Sequence, residues 1–78
     1  MNSIFVFNNS MSFIFAAAAL QREEESSGER ICNILSSQYR IEVPNVNDVW
    51  RVKNTLRANN VSDDEYTLEY VDNRAPRY

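Results

Sequence analysis

The chain contains no histidine, and only one cysteine, one glycine and one lysine. Each shortage excludes something. Without histidine, a zinc site mixing His and Cys is out of reach within one chain, and the side chain most used for general acid–base catalysis is missing. With Cys32 alone no internal disulfide can form, which removes the small secreted disulfide scaffolds. Gly28 alone cannot supply a glycine-rich phosphate loop, since both GxGxxG and GxxxxGK[ST] need several glycines.

Long hydrophobic runs are absent too. The longest unbroken one is Phe13–Leu20, whereas a membrane span needs about 20 mainly apolar residues. A signal peptide is a nearer fit, since eight apolar residues suit a short h-region, but it also fails. Ala16–Ala19 offers small residues of the cleavage-site type, but no Lys or Arg precedes Arg22 and Asn8-Asn9-Ser10 splits the segment. The stretch MSFIFAAAAL is therefore expected to form part of a soluble core, and the protein to be cytoplasmic with no membrane partner.

What is present is enough for one folded domain over residues 1–78, with 73–78 expected to be a loose tail. Hydrophobic residues make up 44%, and four Phe, four Tyr and one Trp can fill much of a small core. Net charge is −3, so phosphate backbones exert no general attraction and nucleic acid is not an expected partner. Of the eight basic residues only Lys53 is lysine. Arginine makes planar, bidentate contacts and is enriched at protein interfaces.

The apolar run SIFVFN predicts a strand over 3–8, closed by Asn8-Asn9-Ser10. Phe13-Ile14-Phe15 would suit a strand, but four alanines and the spacing of Phe13, Ala16, Ala17, Leu20 and Glu24 predict a helix over 11–25. Ser10 or Ser12 is expected to cap it, and its first turns, apolar on nearly all sides, to be well covered. Glu23-Glu24-Glu25 at its end conflicts with the helix dipole. Ser26 and Glu29 have capping-box spacing, and Ile31, Ile34 and Leu35 predict a second helix over 27–37. The alternation in YRIEV predicts a strand over 39–43, ended by Pro44. Asn45, Asn47 and Asp48 open a helix over 47–59 that buries Val49, Val52 and Leu56, and YTLEYV predicts a strand over 66–71.

The expected class is α/β, with α+β as the other form: a small single domain in the order β-α-α-β-α-β, with a three-stranded sheet and helices packed on one face. The second strand, third helix and third strand would form a βαβ unit.

The chemistry-bearing clusters have plain readings beside their functional ones. Glu23–Glu25 and Asp63–Glu65 read as solvated faces. Cys32 lacks an activating base and reads as a packed residue. No catalytic, cofactor-binding or metal-ligating residue is expected, and the chain is expected not to be an enzyme.

The helix over 47–59 carries the most informative set. Trp50, Asn54 and Arg57 form a stripe beside the buried one, with Arg51 and Lys53 nearby. Trp and Arg dominate interface hot spots, although a lone Trp in a small domain is more often core. Arg51, Lys53 and Arg57, with Arg40, are also the only locally basic surface.

The leading expectation is a non-enzymatic protein-binding module that regulates or inhibits a larger protein, of the kind small phage or accessory inhibitors represent, binding through Trp50, Arg51, Asn54 and Arg57. Two alternatives stand beside it. One is a self-assembling subunit, such as a homodimer, joined through sheet edges or the Phe13-Ile14-Phe15 surface. The other is an acidic nucleic-acid mimic.

Overall fold

The computed structural model describes residues 2–71. The expected loose tail at 73–78 lies outside the described residues.

Strand β1 (Asn2–Phe7) alternates strictly, with Ser3, Phe5 and Phe7 buried and the residues between them half-buried. The chain turns at Asn8 and Asn9 into α1 (Ser10–Ser27). Asn9 caps this helix, its side chain accepting the Ser12 N–H at 2.9 Å. The cap is therefore Asn9, one residue before Ser10 and three before Ser12, the serines expected to provide it. Alanine propensity prevails over the β-forming Phe-Ile-Phe, and the helix runs through it as predicted.

Gly28, at φ 75, ends α1 in the left-handed conformation that glycine adopts without penalty, and its N–H bonds Glu24 O at 2.8 Å. The dipole conflict at this end is relieved locally. The Glu24 carboxylate accepts the N–H groups of Ile31 at 2.7 Å and Cys32 at 3.1 Å. Glu23 is taken by an arginine of the neighbouring helix.

The expected helix over 27–37 does not form. In its place come an extended segment and a short strand, β2 (Asn33–Leu35), followed by a single 3-10 turn, Ser36–Gln38. Glu24 holds the Ile31 and Cys32 N–H groups outside any helix, while Ile31 and Cys32 side chains enter the core. The i, i+3, i+4 spacing of three apolar residues is thus met by a different geometry. Tyr39, at φ 53, then reverses the chain into β3 (Arg40–Val43).

A 3-10 turn, Val46–Asp48, capped by Asn45, leads into α2 (Val49–Ala58), whose buried residues are the predicted Val49, Val52 and Leu56. After a turn in which Asn60 takes a positive φ of 66, β4 (Tyr66–Val71) closes the fold at the predicted limits.

The sheet has four strands, in the order β2-β3-β1-β4, and all pairings are antiparallel. The expected three-strand sheet therefore gains β2, and the element order becomes β-α-β-β-α-β. The domain is a small α+β one. β3 and β4 are not neighbours as a simple βαβ unit would make them: β1 lies between them, which is the split βαβ arrangement.

Both helices contribute to one core on one face of the sheet. It joins Phe5, Phe7, Ile41, Val43 and Tyr66 of the strands to Phe13, Ala16, Leu20, Val52 and Leu56 of the helices. Phe7 meets Phe13 edge-on at 6.0 Å and Tyr66 at 5.5 Å. On the opposite face Glu42 ties three strands together, accepting from Asn2 of β1 at 2.7 Å and Asn33 of β2 at 3.2 Å.

Candidate functional site

Because Val49, Val52 and Leu56 turn α2 inward, its other faces are set. Trp50 projects to solvent and is 66% exposed. The reading of Trp50 as core is thereby overturned: the inward stripe is already complete with smaller aliphatics, and the indole, one position after Val49, falls outside it. Lys53 Nζ lies 5.9 Å from the ring centroid, a cation–π distance. Val46, one turn before Trp50, is half-exposed, and Asn54, one turn after, is exposed. The three make a ridge along the outside of α2.

The arginines of the predicted set are engaged within the domain. Arg51 reaches Glu23 at 3.1 Å and Glu29 at 3.3 Å, clamping the C-terminal part of α1 to α2. The hydrogen bonds that Arg51 donates to Glu23 raise its already high pKa. Arg57 pairs with Asp63 at 2.9 Å, and Asp63 also accepts the Tyr66 hydroxyl at 3.1 Å. The Arg57 bond, with help from Tyr66, holds the Asp63 carboxyl below its ordinary 3.8. Trp50 and Asn54 therefore share a free ridge, while Arg51 and Arg57 serve local ion pairs. Nor does the basic face assemble: Arg40 sits on the open face of the sheet, paired in register with Val6 and Leu35.

A second exposed apolar row corrects the Phe13-Ile14-Phe15 surface offered for self-assembly: Ile14 and Phe15 are on it, Met11 joins them, and Phe13 is buried instead. Met11, Ile14 and Phe15 of α1 are 59%, 55% and 55% exposed. The expectation that the first turns of α1 are well covered fails because Ser12, Phe13, Ala16, Ala19 and Leu20 take the inner side. The signal was in the sequence, since Met11, Ile14 and Phe15 themselves follow i, i+3, i+4 spacing on the other side of the helix.

Glu23, Glu24, Asp63 and Glu65 of the two acidic clusters have structural partners. Glu24 organises the start of the β2 segment. Glu65 accepts the Ser12 hydroxyl and the Ser62 N–H, tying the start of α1 to the start of β4. These bonds, Ser12's first, hold its carboxyl below the ordinary 4.5. Cys32 is buried, and burial, reinforced by the charge of Glu24 3.7 Å away, pushes its thiol up to about 12. A thiol so held is protonated and packed rather than nucleophilic.

A depression of about 650 Å³, open to solvent, is lined by Gln21, Glu24, Glu25, Gly28, Glu29 and Arg30. Among the described residues no three Cys, Asp or Glu side chains converge as metal ligands. No helix among them is long and apolar enough to cross a membrane. No family model matches the chain, and no curated protein or solved structure shows significant similarity to it.

Proposed function

We propose that the protein is a non-enzymatic protein-binding module, acting in the cytoplasm, that regulates or inhibits a larger protein by docking its outer helix surfaces into apolar recesses of that partner. One observation carries this reading. Five large apolar side chains, Met11, Ile14, Phe15, Val46 and Trp50, stand at least half-exposed on the helical side of a chain that has few residues to spare from its core. Exposed apolar groups gathered on helix ridges, with polar neighbours around them, are what a protein interface presents. Trp50 is the natural anchor, being large, rigid and backed by Lys53.

The ion pairs refine the predicted contact set. Trp50 and Asn54 remain in it. Arg51 and Arg57 contribute by holding α1, α2 and the turn before β4 in place. The nucleic-acid-mimic alternative finds less support, because Glu23, Glu24, Glu29, Glu42, Asp63 and Glu65 are turned toward partners within the domain.

The test is affinity capture from the native source, with each retained protein identified by mass and retested as a purified pair. Trp50→Ala and Phe15→Ser are expected to lose the partner while remaining folded, and Arg57→Ala to keep it. A folded double variant, Trp50→Ala with Phe15→Ser, that still binds at full strength would contradict the assignment.

A further inference from the structure

The two edges of the sheet are built differently. β2 is three residues long and runs straight into a 3-10 turn, so it offers little backbone to a stranger. β4 is six residues long, pairs with β1 over its whole length without a bulge, and contains no proline or lysine. Its only charge is Glu69.

Among the described residues, the hydrogen-bond pattern shows which backbone groups of β4 lack a partner. Phe7 N–H bonds Tyr39 O on the β3 side, and Asn8 N–H bonds Glu65 O on the β4 side. Antiparallel ladders alternate, so Thr67 and Glu69 direct their backbone groups to β1, opposite Val6 and Ile4. The N–H and C=O groups of Tyr66, Leu68 and Tyr70 point outward from the edge.

We propose that two copies of the chain join β4 to β4, antiparallel, about a two-fold axis at Leu68. In that register Leu68 faces its own copy and Tyr66 faces Tyr70, so all three outward-facing residues exchange backbone hydrogen bonds. A shift that keeps the faces matched, placing Thr67 or Glu69 on the axis, leaves one of the three without a partner. The second shift also sets Glu69 against Glu69. With Leu68 on the axis, Glu69 lies opposite the uncharged Thr67 in a non-hydrogen-bonded pair, where side chains come closest. Tyr70, 56% exposed in one chain, is laid beside the partner's Tyr66. The two sheets become one continuous sheet with all the helices on the same side. This edge is separate from the helix ridges, so the inference stands or falls independently of the proposed function.

The test is sedimentation equilibrium of the purified chain over a range of concentrations, with circular dichroism confirming that each variant is folded. The wild type is expected to rise from 9.1 kDa toward twice that mass. Thr67→Lys, which places an ammonium opposite each Glu69, is expected to tighten association by roughly two- to tenfold at low salt, and Thr67→Glu to weaken it by a similar factor. Tyr70→Pro removes an outward N–H that the monomer does not use, a position where an edge strand tolerates proline, and is expected to abolish the dimer. The proposal is overturned if the wild type stays at 9.1 kDa up to about 1 mM. It is also overturned if Thr67→Lys weakens association as Thr67→Glu does, or if folded Tyr70→Pro still dimerises.

Discussion

The two helices lie on the same face of the sheet and solve the same problem with different sequences. α2 is amphipathic. Its aliphatics at 49, 52 and 56 go in and its polar residues stay out, with Trp50 the exception. The first half of α1 is apolar on nearly every side, and there the fold makes the choice that the pattern leaves open. Phe13 is the one aromatic turned inward, and with it go Ala16, Ala19 and Leu20, while Met11, Ile14 and Phe15 are left outside. A periodic stripe states which side is buried. An all-round apolar segment states only that some side is, and the surplus becomes surface with a high free energy until another molecule covers it.

The largest test of this contrast is within α2. Leu56→Ala removes a fully buried side chain and is expected to cost about 2–5 kcal/mol in urea unfolding. Glu24→Ala comes next. It leaves the Ile31 and Cys32 N–H groups without their acceptor, at an expected cost of about 1–3 kcal/mol, and a β2 segment that exchanges amide protons faster by NMR would show that the loss is local.

The pH dependence has two sides. Asp63 and Glu65 have lowered carboxyl pKa values in the fold, so their contribution is complete above the ordinary values of 3.8 and 4.5 and is lost as pH falls through the folded ones. Cys32 and Tyr66 are raised, each to about 12, Tyr66 by burial and then by its bond to Asp63. Their contribution is complete below the ordinary values of 9.0 and 10.0 and is lost as pH rises through about 12. Thermal midpoints across pH are expected to be level between these limits and to fall outside them. Trp50→Ala should have the smallest effect, within about 0.5 kcal/mol of wild type in the same urea assay.

Much of the fold was legible because it rests on local pattern. A short apolar run placed β1, alternation placed β3 and β4, and the Val49, Val52, Leu56 stripe placed α2. The four alanines decided α1 against a hairpin. The failure at 27–37 has a physical cause: the acceptor that holds Ile31 and Cys32 is Glu24, whose reach around the end of α1 depends on Gly28 adopting φ 75. Spacing on one segment cannot announce a tether from another. The position of β1 between β3 and β4 was likewise a long-range matter. At the candidate site, the sequence marked Trp50, Arg51, Asn54 and Arg57 together on one helix, but their division into an exposed ridge and two ion pairs depends on Glu23, Glu29 and Asp63 arriving from elsewhere in the chain.

The central claim is that two phenylalanines two positions apart on α1 have opposite jobs, Phe13 holding the domain together and Phe15 left outside the core, where the proposed function gives it a partner to meet. Urea unfolding of Phe13→Ala and Phe15→Ala, measured side by side, tests it most directly. The account predicts a loss of about 3–5 kcal/mol for Phe13→Ala and a change within about 0.5 kcal/mol for Phe15→Ala. Equal losses in the two variants would contradict it, for Phe15 would then belong to the core.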